Sequence, residues 1–273
     1  MTAARAKRAG RAGDPVASRA TVVLKVGGSL GESEATVVQV AALHDAGHPL
    51  VVVHGGGPLI GQWSERAGLK TRFVRGLRVT DEPTRDVALA VLGGLANKTL
   101  VAALIGRGVP AVGLSGIDGG MLRAEREDEE LGLVGRVTMV DSSLIEDLVE
   151  AGRVPVIAPA ALGPGGEILN VNGDSAAGAI AASVGARLLA FVTDVPGVRG
   201  KDGRILARLD RERTVALLGE GTIDGGMIPK VEACLLAVAS GADAAILPGD
   251  ERDAVERVLA GERVGTTFAA EAA

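Results

Sequence analysis

PLVVVHGGGPLIGQW, residues 49–63, runs from aliphatic residues straight into three glycines and a proline. The stretch reads as a buried strand that ends on bare backbone. Two explanations of the glycines are open. Glycine accepts φ > 0 and permits a tight exit from a strand. Bare backbone also lets N–H groups reach an anion that side chains would block. Three glycines alone do not decide between turn and cradle.

The same design, a short apolar run closing on turn residues, recurs along the chain. It appears as TVVLKVGG at 21–28, PAVGLSG at 110–116, VPVIAP at 154–159, LLAFVTDVPGV at 188–198 and AAILPG at 244–249. Helical stretches lie between them at 33–47, 84–107, 141–152, 174–186 and 226–241. This alternation implies an α/β chain with a largely parallel sheet covered on both faces. Right-handed crossovers put the loops after the strands along one edge, the edge where ligands collect in open α/β sheets. Two segments interrupt the rhythm. MLRAEREDEELGLVGRVTMV, 121–140, reads as a β-hairpin laid over the sheet. ALGPGGEILNVNGDSAAGA, 161–179, reads as a loop with Gly and Pro clusters and a helix opening at Asp174. The boundary between two lobes is placed near residue 165, and there is no solenoid-type repeat.

Composition supports this reading. The 273 residues suit one or two domains. Hydrophobic residues make up 47% of the chain, aromatics only 1%, and Tyr is absent, so the core must be Val, Leu, Ile and Ala, as parallel sheets prefer. Mean hydropathy is +0.29, yet no uninterrupted apolar run approaches the ~18 residues of a membrane span; a soluble globular chain is expected. With so few aromatics and a formal net charge of -5, neither base stacking on nucleic acid nor membrane binding is expected. The single cysteine, Cys234, excludes an internal disulfide and fits a reducing cytoplasm. Together with three histidines it shows no metal-ligand spacing. Residues 1–20, rich in Ala and Arg and broken by Gly10, Gly13 and Pro15, read as a flexible basic tail.

Four places can carry chemistry. Lys25 stands near the end of the first apolar strand, where a buried ammonium is costly without an anionic partner; a snorkelling side chain is the alternative. Lys230 lies in the opening turn of a helix that tolerates Pro229, beside unpaired N–H groups and the positive end of the dipole, an assembly suited to phosphate. In NVNGDSAAG, 170–178, Asp174 can cap the next helix while Asn170 and Asn172 close an Asx-turn. An aspartate there can equally hold two lysines toward a phosphoryl group. Of Arg72, Arg75 and Arg78, only Arg78, framed by Leu77 and Val79, looks held in place to grip a carboxylate. No G-x-x-x-x-G-K-[ST] loop is present and no G-x-G-x-x-G follows the first strand, so any phosphate site must be built from scattered glycines.

In series, KVGG, VHGGG, GLRVT, NVNGD, TDVPGV and DGGMIPKVEA closely resemble the amino acid kinase family, and within it the N-acetylglutamate kinases of arginine biosynthesis. NKTL at 97–100, GLSGIDGG at 113–120 and LGLVGRV at 131–137 point the same way, and the likeness covers residues 21 to about 268. It implies a three-layer α/β/α sandwich around a mainly parallel eight-stranded sheet. An N-terminal lobe, 21–165, would bind the acyl amino acid and dimerise; a C-terminal lobe, 166–273, would bind ATP with Mg2+. By this resemblance Lys25 and Lys230 stabilise the transferring phosphoryl group and Asp174 orients them. Gly27 and Gly28 approach the ATP phosphates, and Thr193 and Asp194 lie on the nucleotide side. Gly56 and Gly57 offer N–H groups to the acyl substrate, while Arg78 and Asn170 hold its other polar groups. No protein metal ligand is implied, and His54 shapes the turn. The reaction implied is ATP-dependent phosphorylation of the γ-carboxylate of N-acetyl-L-glutamate. Acetylated or carrier-linked α-aminoadipate is the alternative acceptor, and a non-catalytic nucleotide-binding regulator the alternative class. A homodimer is implied, or a hexamer where an N-terminal helix links dimers; this tail is not expected to form a long stable helix by itself.

Overall fold

The computed structural model describes residues 21–27 and 34–268; the tail 1–20 and Gly28 lie outside them. Strand β1 (Val22–Val26) sits mid-sheet, parallel to both β2 (Leu50–His54) and β11 (Leu188–Thr193), with Lys25 level with Val53 and Phe191. Beyond β2 come β8 (Val154–Ala158) and β5 (Ala111–Ser115). Beyond β11 come β13 (Asp243–Pro248), β14 (Thr266–Phe268) and β12 (Arg208–Leu209). Of these eight strands only β13 and β14 pair antiparallel. The six apolar runs of the sequence all fall in this sheet.

Alternation along each strand divides the core in two. Val23, Val51 and Val53 pack with α5 (Ser143–Glu150), α6 (Gly173–Ser183) and α8 (Met227–Ala239) on one face. Val22, Leu24 and Val52 pack with α1 (Glu34–Asp45), α4 (Asn97–Ile105) and α9 (Ala254–Leu259) on the other. Helices on both faces make the three-layer sandwich, and they are why the strands read as near-continuous apolar runs.

The helix expected over 84–107 starts earlier, at α3 (Glu82–Leu89), because Asp81 accepts from Thr84 N at 2.9 Å as its N-cap. It then passes through a π-helical segment, Ala90–Ala96, before α4. By length and composition alone Glu82–Ile105 could cross a membrane. Instead, Leu100 and Leu104 are buried against the sheet. Three helices escaped the sequence reading: α2 (Gly57–Arg66), α7 (Arg211–Gly219) and α9. The first begins on Gly and Pro, and the last is only six residues long.

The hairpin expected over 121–140 is present as β6 (Leu122–Arg126) and β7 (Val134–Val140), but it is not alone. It closes into a four-stranded barrel with β9 (Ala160–Leu162) and β10 (Ile168–Val171). The reading of 161–179 as a loop is therefore corrected: β9 and β10 pair antiparallel, Leu169 opposite Ala161. Leu169 and Val171 are buried while Ile168 and Asn170 are half-buried, a period-2 strand signal too short to stand out among flanking glycines.

Candidate active site

Lys25 shares the face of Val23, so it points toward α6 and α8 at the carboxyl end of β1. Asp174 occupies the first turn of α6. It does not cap that helix: Asn172 does, its Oδ1 accepting from Asp174 N at 2.8 Å and Ser175 N at 3.1 Å. The carboxylate of Asp174 is thereby left for other partners. Lys25 Nζ pairs with its Oδ1, and Lys230 Nζ donates to its Oδ2 at 2.9 Å. Lys230 comes from the opening of α8, as the sequence indicates, and also donates to Gly226 O at 3.3 Å.

Small residues let the two helices meet. A Cβ on Gly178 would stand 2.7 Å from Ala233 Cβ and 2.9 Å from its Cα. One turn of α6 separates Gly178 from Asp174, and Ala233 lies one turn from Lys230, so this close approach sets the lysine–aspartate distance.

Burial depresses the Lys25 ammonium below its usual range; Asp174 opposes that shift and the neighbouring Lys230 charge adds to it. Burial pushes Asp174 upward, but the charges of Lys25 and Lys230 outweigh it and hold the carboxyl below its ordinary value. Two ammonium groups against one carboxylate leave excess positive charge in a buried place. That excess matches an incoming polyanion, so the residues fit a nucleoside triphosphate.

The glycines of residues 55–57 form the exit from β2 and the start of α2. Gly55 N donates to Val26 O at 3.1 Å, completing the sheet edge. Gly56 is then the N-cap of α2, whose first intrahelical bond is Ile60 N to Gly56 O at 2.9 Å. The N–H groups before that bond have no intrahelical partner and stand at the positive end of the helix dipole. A cavity of about 650 Å³ opens here, lined by Lys25, Gly56, Gly57, Arg78, Asn170 and Asp174 among others.

Arg78 reaches this cavity from β4 (Leu77–Arg78), which pairs with β3 (Phe73–Val74). Its guanidinium donates to Gly57 O at 2.9 Å and Thr71 Oγ1 at 3.2 Å, and lies over the Phe73 ring at 4.9 Å. Arg72 and Arg75 instead pair with Glu130 and Asp128 at the surface. Among the described residues, Arg78 has no carboxylate within ion-pair distance. Asn170 lines the same cavity from β10 and donates to Thr80 Oγ1 at 3.2 Å. Thr71, Thr80 and Leu92 are lining or supporting residues that sequence reasoning missed, since nothing local marks them.

On the other side of Lys25, Thr193 ends β11 beside Gly27, whose N–H donates to Val192 O at 3.0 Å. Gly27 thus offers close approach rather than a free donor. Thr193 Oγ1 donates to Asp194 Oδ1 at 3.0 Å, and the Asp194 charge reaches Lys25. Gly27, Thr193 and Asp194 thus lie together at the carboxyl edge of β1 and β11.

Residues 20–247 match the model of the amino acid kinase family. An acetylglutamate kinase of Dehalococcoides mccartyi is 44% identical over 254 residues, 90% of this chain and 93% of that protein. One from Geobacillus kaustophilus is 47% identical over 221 residues, 80% and 85% respectively. Among solved structures, smu.665 from Streptococcus mutans UA159 superposes with a TM-score of 0.80 at 29% identity, covering 91% of this chain and 98% of that one. Carbamate kinase from Giardia lamblia bound to AMP-PNP shares the fold, with a TM-score of 0.70 at 18% identity over 93% and 100% of the chains. With the family model spanning most of the chain and relatives 44% and 47% identical to it over most of their length, this chain belongs to the amino acid kinase family.

Proposed function

We propose that the protein transfers the γ-phosphoryl group of ATP to the γ-carboxylate of N-acetyl-L-glutamate, giving N-acetyl-L-glutamyl 5-phosphate for arginine biosynthesis. The observation that carries this is the meeting of Lys25 and Lys230 on Asp174, beside a cavity lined by Arg78, which has no carboxylate partner among the described residues. The names and high coverage of the acetylglutamate kinase relatives support the substrate.

A γ-carboxylate has a reference pKa near ~4.3 and is ionised at neutral pH, so no general base is required. The barrier is repulsion between an anionic nucleophile and an anionic phosphoryl group, and catalysis is alignment and charge neutralisation. Arg78 and Asn170 grip the acceptor at its far polar groups. The amides of Gly56 and Gly57 hold it at the reacting end. Lys25 and Lys230 place their charges on the phosphoryl oxygens while Asp174 keeps them from splaying. The carboxylate oxygen bonds to the γ-phosphorus as the bond to the bridging oxygen breaks, and ADP leaves with that electron pair. Gly27, Gly28, Thr193 and Asp194 form the nucleotide side. Mg2+ brought with ATP would supply further charge neutralisation, and no side chain of this chain is assigned as its ligand.

In this reading residues 21–165 form the acyl-binding lobe and residues 166–273 the ATP lobe. The chain works in the cytoplasm as a homodimer through the first lobe, where Leu95 and Ile105 are exposed apolar residues. Coupled ADP release with N-acetyl-L-glutamate and N-acetyl-L-α-aminoadipate side by side tests the proposal. Preference for the longer acid by about tenfold, on the order of 1.4 kcal/mol, would reassign the substrate. ATP binding with no acyl phosphate from either acid would make the chain a regulator.

A further inference from the structure

The triple glycine is flanked by the two faces of the sheet. Lys25 projects to the face of α6 and α8. His54, in step with Val52 along β2, projects to the opposite face and is 1% exposed. There its Nδ1 lies 2.9 Å from Gly55 O and its Nε2 lies 3.1 Å from Asn97 Nδ2. A carbonyl only accepts and an amide nitrogen only donates, so the imidazole is neutral with its proton on Nδ1. Asn97 is itself pinned: one amide proton goes to Val156 O at 2.8 Å and the other to His54 Nε2, with Leu114 O at 3.2 Å a shared, bifurcated acceptor, while Lys98 Nζ donates to its Oδ1 at 3.0 Å. Its amide therefore cannot flip.

Gly55 C=O and Gly56 N–H belong to one planar trans peptide, so they point in opposite directions. A hydrogen bond holding the carbonyl toward the α4 face aims the N–H toward the other side, where the cavity lies. The π-helical segment supplies a second support. In an α-helix at 3.6 residues per turn, residues 92 and 97 would stand about 140° apart. The wider π turn, with i→i+5 bonding, brings them toward one side. Leu92 thus packs on Gly56, where an added Cβ would be 2.7 Å from Leu92 Cδ2, while Asn97 holds His54.

We propose that Asn97 and His54 are positioning residues: Asn97 locks the imidazole as its Nδ1–H tautomer, and that N–H, through the Gly55 carbonyl, aims the Gly56 amide at the transferring carboxylate. The role rests on the kinase reading above. It is separable from it because the tautomer is measurable without turnover.

The test combines nitrogen NMR of the imidazoles with kinetics of three variants in the full chain. The wild type is expected to show His54 protonated at Nδ1 only. Asn97→Ala should lose that fixed tautomer and lower kcat with the acyl acceptor by about tenfold or more, as expected for a misplaced donor, with KM for ATP unchanged. His54→Asn keeps an amide donor where Nδ1 lies and should recover most of the rate lost in His54→Leu. If Asn97→Ala does not fold, the comparison of the two His54 variants decides. The proposal is overturned by an Nε2–H tautomer in the wild type, by an unchanged tautomer or rate in folded Asn97→Ala, or by equal losses in both His54 variants. A wild type inactive on both acetylated acids would sink the kinase reading and with it the aiming role, while the nitrogen shifts would still decide the Asn97–His54 lock.

Discussion

Lys25 and Lys230, from near the two ends of the chain, share the carboxylate of Asp174, one ammonium on each oxygen. Asp174 is the common hinge of their charges, so each member of the trio has a separable consequence.

In the proposed reaction, neutralising either lysine removes a donor aimed at transition-state charge. Lys25→Ala and Lys230→Ala should each lower kcat by about 10²–10³, or about 2.7–4 kcal/mol. Steady-state ADP release checks this, and full activity in both variants would refute the assignment.

Asp174→Asn leaves the buried Lys25 and the half-buried Lys230 ammonium without their counter-charge, which should cost about 3–5 kcal/mol of stability, read by urea unfolding at neutral pH. The acid side should change as well. Asp174 is held below its ordinary 3.8, so its stabilisation is full above that value and disappears as pH falls through the lower folded value. The variant should lack this portion of the acid dependence.

The alkaline limb of kcat/KM should report Lys25. Burial already brings its ionisation below the ordinary 10.5 and Asp174 opposes that shift. Residual activity of Asp174→Asn should therefore fall at lower pH than that of the wild type. A limb that does not move would show that another group controls it.

Arg78→Lys keeps the charge but not the fork that reaches Gly57 O and Thr71 Oγ1. Loss of a charged hydrogen bond of about 1.5–3 kcal/mol should lower kcat/KM for the acyl acceptor by about 10- to 150-fold. KM for ATP should be unaffected.

Gly178→Val forces side-chain volume into the backbone of Ala233. Overpacking should cost about 1–3 kcal/mol, seen as a lower Tm. Activity should fall beyond the loss of folded protein, because the shift lies one turn from both Asp174 and Lys230.

The local text carried much of this. Apolar runs ending in glycine gave the parallel sheet, since a strand buried on both faces must be apolar throughout. Pro229 in an opening turn located the end of α8 and hence Lys230. Local text failed where two residues competed for one role. Asp174 and Asn172 are both good caps, and only the fold assigned the cap to Asn172 and freed Asp174 for the lysines. Likewise β9 and β10 hid among glycines because a barrel strand of three or four residues has too short a period to read.

By itself the sequence determined the class of sheet, the order of its strands along the chain, and the candidates Lys25, Asp174, Lys230 and Arg78, because periodicity and turn chemistry act over a few neighbouring residues. Only the tertiary structure decided which of them meet, which of Arg72, Arg75 and Arg78 has no acidic partner among the described residues, and that His54 faces Asn97 across the sheet from Lys25. Those outcomes depend on strand register and helix separation, which are set by contacts between residues far apart in the chain.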